Sequence, residues 1–454
     1  MIAFETLLLG IVSGIWPIRL MVTPPVVTVE LRLDAAVVGV MHSPPWAMEC
    51  NLGSGPMPHE LTAIGRDASG REVARATQWA NLGRDRLRLS ALLERDAATR
   101  RPAAVRLAWE TADMVQPQAV TATLDGTPLE VVDPHRIGLP KVDSDRPHVV
   151  SAEVVLSPQL RDRADLAFGG DVVDRAESEL TAVAVTVPSK RTRLELRDAQ
   201  GLFSEGGRPM TPIGVDEGHA EVAVVADAGA AAVIAAHPRN WDGLAREARQ
   251  RSLIDRQFDA EETALARGPV GIASDRFFIV GTAPSRLADS GRKRVFYPMS
   301  PPAPLAWLTR HSPAEWLERV VRPASQAIAD TVAVAACEVA ASNSRRAVVL
   351  ILAESKGAEG VIADVSVSNV AAVKAYLAAL HVPLTVWSLS GSSPGPQTSA
   401  WAPAVAVADC WEMQAQAEKL ARALTMQRIV WFVGRYLPQR ITLDESRTAL
   451  RLAQ

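Results

Sequence analysis

Cysteine is scarce in this chain: Cys50, Cys337 and Cys410 are the only three in 454 residues. An odd, sparse set is no disulfide framework, and without a CxxC pair or a histidine-rich tract there is little to build a structural zinc site from. A Cys337–Cys410 bond is the one pairing left open, because nothing in the sequence fixes their separation. Charge of one sign is equally thin. The formal net charge is −3, and the longest basic clusters are Lys190-Arg191-Thr192-Arg193 and Arg292-Lys293-Arg294. Blocks this short read as solvated loop or strand edge, so nucleic acid is excluded as a partner on electrostatic grounds. Long hydrophobic runs are missing too; none reaches the ~18 apolar residues of a transmembrane helix. What is present is core material. Apolar residues make up 48% and charged residues 22%, enough to bury real cores, and the length suggests about three domains at ~150 residues each.

The start carries two readings. Leu7 to Val12 is a short apolar run before Ser13-Gly14, which fits the core of a signal segment and hence export to a periplasm or cell surface. Glu5, the lack of Lys or Arg ahead of the run and the lack of an A-x-A site fit a first strand in residues 1–14, with a cytoplasmic location as the alternative.

From 15 to 83 the pattern is strand-like. Val27 to Leu33 alternates strictly, with Thr28, Glu30 and Arg32 facing one way. Asp34-Ala35-Ala36 turns the chain, and His59 to Gly65 is a later strand. Short strands with turn signals every 8–12 residues read as an immunoglobulin-like sandwich. Residues 84–170 repeat the cadence. Asp125-Gly126 is a hairpin signal, and His148-Val149-Val150-Ser151-Ala152 matches His59-Glu60-Leu61-Thr62-Ala63. A tandem pair of sandwiches is expected. Residues 171–220 read as a β connector, and 441–454 as a C-terminal tail.

Glu221 opens a different regime, predicted to run to 440. The apolar strand Val222 to Ala226 ends in Asp227, followed by the turn Ala228-Gly229. Strands at Arg276 to Gly281, Arg346 to Leu352, Pro383 to Leu389 and Gln427 to Val433 alternate with helices at Ser325 to Ala341, Ser368 to Leu380 and Glu412 to Thr425. Ser312-Pro313-Ala314-Glu315 supplies a cap, a first-turn proline and an acid, which is a helix start. Alternating β and α with fully apolar strands predicts a doubly wound, mostly parallel sheet that presents Asp227 at its ligand-bearing carboxyl edge. The fold class is therefore multidomain: all-β immunoglobulin-like sandwiches followed by an α/β doubly wound, Rossmann-like domain.

The strand ending in Asp227, the small-residue helix through Thr331, the strand Val348 to Leu352 entering Ala353-Glu354-Ser355 and the closing strand-helix-strand together resemble the von Willebrand factor A (VWA) family. The likeness spans about 221 to 438, and the whole chain looks like bacterial proteins that join immunoglobulin-like modules to such a domain. The resemblance implies a metal-ion-dependent adhesion site in which an Asp-x-Ser-x-Ser loop, a threonine and a later aspartate hold a divalent cation. Asp227, Thr331 and Glu354 are the matching metal candidates. Gly229 and Ala231 stand where the serines would be, and Glu354-Ser355 replaces Asp-Gly. The resemblance thus implies a degenerate site, with Mg²⁺ as the only cofactor in view.

Catalytic motifs are poor. Gly391-Ser392-Ser393-Pro394-Gly395 has the letters of a nucleophile elbow, but Pro394, Gly395 and Pro396 block the helix that must follow Ser393. No G-x-G-x-x-G or phosphate-binding P-loop is present. The reading that results is a non-enzymatic interaction or scaffold protein whose partner is another protein. A divalent-cation-dependent adhesion receptor using Asp227 and Glu354 is one alternative, and an α/β hydrolase-like enzyme is the other. Aromatics favour interface hot spots, and Trp401, in a proline-flanked loop, is the candidate exposed anchor.

Overall fold

Alternation along Thr28–Leu33 sends Val29 and Leu31 inward while Glu30 stays at the solvent side, because successive strand residues point to opposite faces. The structure is a computed structural model describing residues 2–453 apart from 7, 9, 83–86, 97–98, 100, 112–116, 144, 158–159, 171–179, 190–193, 242–274, 283–287, 290–291, 296–299, 301–302, 311, 318–325, 343, 354–363 and 390–395. Thr28–Leu33 lies in an antiparallel sheet ordered Ala36–Met41, Thr28–Leu33, His59–Arg66, Glu72–Ala80. Facing it is a sheet of Ile2–Phe4, Ile15–Val22 and Ala47–Asn51. Trp16, Ile18, Leu20, Val29, Leu31 and Leu61 fill the space between them.

The first residues belong to this sandwich. Ile2, Leu8 and Val12 are in its core, while Ile11–Ser13 pairs antiparallel with Arg292–Val295 far along the chain.

The second sandwich has the same strand order. In both, strands one, two and five form one sheet and strands four, three, six and seven the other. Here those are Leu87–Arg95, Pro102–Thr111 and Arg136–Gly138 against Thr127–Pro128, Ala119–Leu124, His148–Ser157 and Leu160–Phe168. The likeness extends to single atoms. Asp34 and Asp125 each sit in the left-handed region, φ 53° and 51°, at the turn between strands three and four. Each takes the Nδ1 side of a histidine, His59 or His148, at 2.6 Å. Each also accepts the next residue's amide, from Glu60 at 2.9 Å and from Val149 at 2.8 Å.

Two expectations need correction. The stretch 171–220 is not merely a connector, and the closing strand Gln427–Val433 does not join the parallel sheet. Leu180–Thr186, Pro212–Asp216, Gln427–Val433 and Arg451–Leu452 form one antiparallel sheet, and Phe203–Glu205, Arg208–Met210 and Ile441–Leu443 form another. Val183, Val185, Phe203, Val430, Phe432 and Ile441 pack between them. The C-terminal tail is therefore part of a third, discontinuous β module. An apolar strand with both faces buried fits either sheet; Gln427–Val433 is buried on one side by Phe203 and on the other by Val149 and Ala167 of the second sandwich.

The α/β domain is inserted between Pro212–Asp216 and Gln427–Val433. Its sheet runs, in chain numbering of its own strands, 3-2-1-4-5-6: Ala303–Pro304, Arg276–Val280, Ala220–Ala226, Arg345–Leu352, Leu384–Ser388, Ala404–Ala406. All are parallel except the edge strand Ala303–Pro304. This is the doubly wound order of dinucleotide-type folds. Arg345–Leu352 is buried at every residue. Ala347, Val349 and Ile351 face the helices Ala228–Ala236 and Cys410–Leu424. Val348, Leu350 and Leu352 face Ile328–Ala341 and Val370–Ala379. The sheet thus separates Cys337 from Cys410, and all three cysteines are buried and outside any disulfide, so the Cys337–Cys410 pairing does not form.

Candidate functional site

In open α/β sheets ligands bind outside the carboxyl ends of the strands where the order reverses. Here that point lies between Ala220–Ala226 and Arg345–Leu352. Asp227 stands there, 1% exposed. Its Oδ1 accepts the Ala230 amide at 2.5 Å, capping the helix Ala228–Ala236. The same carboxylate accepts the Ala353 amide, at 3.2 Å on Oδ1 and 3.3 Å on Oδ2. It therefore ties the first helix turn to the end of the neighbouring strand. Gly229 completes the closure: a Cβ there would lie 2.4 Å from the Ala353 carbonyl oxygen. Backbone fills the place where a side chain would otherwise stand.

Thr331 is fully buried in the first turn of Ile328–Ala341, and its hydroxyl donates to the Ala327 carbonyl at 2.7 Å. Glu354 and Ser393 lie outside the described residues. A hard cation such as Mg²⁺ demands near-octahedral oxygen donors. Among the described residues the set does not fit it: the Asp227 carboxylate is engaged by two amides, Gly229 and Ala231 offer no hydroxyl, and no group of three or more His, Cys, Asp or Glu side chains is assembled.

Residues outside the sequence-derived set complete the neighbourhood. Gln326 Oε1 accepts the Ala228 amide at 3.1 Å. Asp330, buried beside Thr331, accepts the amides of Val367 and Ser368 at 2.8 and 2.9 Å. Its sequence signal was an acid in the first turn of a helix, where the dipole favours negative charge. A second polar centre was not foreseen. Arg276 lies between Glu221, fully buried, at 2.8 Å and Glu153 of the second sandwich at 2.9 Å. Burial opposes the charge, yet the two carboxylates outweigh it and hold the guanidinium above its ordinary pKa.

Trp401 is not an exposed anchor. It is 2% exposed and packs with Val373, Tyr376 and Leu377; an aromatic this large is most stable in a core even when it sits in a loop-like stretch. Among the described residues Trp411, at the start of Cys410–Leu424, is the exposed tryptophan, at 46%.

No family model matches the chain, and no curated protein matches it. Among solved structures it is similar to fibronectin(III)-like modules of Clostridium thermocellum CbhA, at 16% identity over 18% of this chain and 93% of that one, with a TM-score of 0.16. It is also similar to the central fibronectin-III array of RIM-binding protein, at 11% identity over 45% of this chain and 81% of that one, with a TM-score of 0.19. The N-terminal region is all-β, built of two sandwiches of antiparallel sheets. No helix among the described residues is long and apolar enough to cross a membrane.

Proposed function

We propose that this chain is a non-enzymatic protein-binding scaffold, in which β-sandwich modules carry a VWA-type α/β domain with a degenerate metal-ion-dependent adhesion site. The single observation that carries the reading is the state of Asp227. An adhesion-site aspartate needs its oxygens for a cation; this one is held by the Ala230 and Ala353 amides under a backbone contact at Gly229. The strand order with one antiparallel edge and the acid after the first strand support the VWA-type assignment. On this reading recognition is made by protein surface, without Mg²⁺ as a bridge.

Full-length chain immobilised as bait in its native extract is expected to retain a stoichiometric protein partner equally with and without EDTA. Retention of no protein would overturn the scaffold reading. Retention lost both in EDTA and in Asp227→Ala would replace it with the divalent-cation-dependent receptor.

A further inference from the structure

The α/β domain leaves and re-enters the third β module through two crossings that lie side by side, since Pro212–Asp216 and Gln427–Val433 are paired neighbours. One guanidinium ties both. Arg345 Nε donates to the Gly218 carbonyl and Nη1 to the Leu424 carbonyl, each at 3.2 Å. The Gln427 side chain then bonds the Arg346 backbone in both directions, at 2.9 and 3.1 Å.

Two histidines sit on this seam. His219 is on the first crossing, with its Nε2 sealed from water and without a partner among the described residues. Arg163 and Glu153 face it from the second sandwich, Glu221 from its own strand and Arg276 from the next strand. The second histidine, His381, follows the helix Val370–Ala379 with φ 53°. Its Nε2 donates to the Pro438 carbonyl of the third module at 2.9 Å, and its Nδ1 is buried without a partner among the described residues. Arg346 is the charged group that faces it. In both rings one nitrogen is enclosed with no described residue to accept a proton from it, so the imidazolium has no place at the closed seam.

We propose that this seam is an acid-operated release, in which protonation of His219 and His381 frees the α/β domain from the second and third β modules. Burial, reinforced by Arg163, depresses His219 to about 3. Burial depresses His381 to about 4, with Arg346 adding and the Pro438 bond opposing. Once the seam opens, each ring returns toward the ordinary histidine value near ~6.5. The closed state therefore holds its full advantage above that value. Below it, the advantage falls about tenfold per pH unit per histidine until the closed-state values are reached. At pH 5 the shift is about thirtyfold for each ring and about a thousandfold for both. Two attachments to the first sandwich involve neither histidine: the Tyr376 hydroxyl bond to the Asn81 carbonyl, 2.6 Å, and the pairing of Ile11–Ser13 with Arg292–Val295. They keep the released domain tethered.

Hydrogen exchange on the full chain, corrected for intrinsic rates, tests this between pH 7 and pH 5. Peptides covering 216–224, 378–386 and 428–440 are expected to lose at least thirtyfold protection, while 78–82 and 373–377 hold theirs. The double variant His219→Gln, His381→Asn should lose less than threefold. Asparagine suits position 381 because it tolerates the left-handed region and its amide can donate to Pro438. Unchanged protection in the native chain, or equal loss in the double variant, would overturn the proposal. Should that variant fail to fold, His219→Gln and His381→Asn are tested singly: each is expected to lose about thirtyfold less protection than the native chain over the same range, and a loss equal to the native chain's in both would refute the release.

Discussion

The aspartates at 34 and 125 do two jobs at once. Each occupies a left-handed turn position, which short polar side chains tolerate better than most. Each then bonds a histidine and a backbone amide at the start of the neighbouring strand in the same sheet. For Asp34 burial pushes the carboxyl upward, but the His59 bond and the Glu60 amide outweigh it, and the group lies below its ordinary value. A carboxyl lowered in the folded state contributes stability that is complete above the unfolded value near ~3.9 and is lost as pH falls through the folded value. Asp34→Asn keeps the turn and removes the charge. It should cost about 1.5–3 kcal/mol at pH 7, the range for hydrogen bonds to a charged group. Urea melts at pH 7 and pH 3 check this: the gap from the native chain should shrink at the lower pH. A gap equal at both would mean that the ionised carboxylate is not what the clamp uses.

At the scale of elements, the Asp227 corner is a junction between a strand, a helix and the next strand, and Gly229 lets the three close. Gly229→Ala places a methyl group 2.4 Å from a backbone oxygen, a contact that no rotamer change relieves. It should cost about 1–3 kcal/mol, as overpacking does, and a thermal or urea melt measures it; a neutral result would mean that the corner opens freely. Much of this level was legible in the sequence. Asp125-Gly126 announced a hairpin because the turn needs two positive-φ positions; the structure has φ 51° and 78° there. The paired cadence around His59 and His148 marked a repeat of topology, since each histidine opens strand six and reaches back to the turn after strand three. Ser312-Pro313 marked the start of Pro313–Leu317. What the sequence hid was partnership. Gln427–Val433 reads as a buried strand, but its neighbours are set by residues more than two hundred positions earlier. Trp401 carried a loop's flanking prolines yet fills a core, because burial follows from the helix packed beneath it. Asp227 was visible as a carboxylate at a strand end; that two amides engage it follows from the approach of Ala353, which no local pattern encodes.

For the whole molecule, the α/β domain interrupts a β module, so its position depends on two crossings rather than one linker. Arg345 is the residue that makes those crossings a single unit, with Asp275 at 3.1 Å completing its bonds. Its burial favours such a role: Arg345 is only 9% exposed, and a guanidinium's planar fork can serve several acceptors without moving. Arg345→Met would keep the aliphatic stem but leave the Gly218 and Leu424 carbonyls without this donor. Each lost donor should cost about 1–3 kcal/mol. The loss falls on the attachment and not on either hydrophobic core, so it acts on coupling between domains. Scanning calorimetry of the variant should therefore show the α/β domain melting in a transition separate from, and below, that of the β modules. The native chain should show the two more nearly merged. If both transitions instead move down together by the same amount, Arg345 supports overall stability and the crossings are joined by something else.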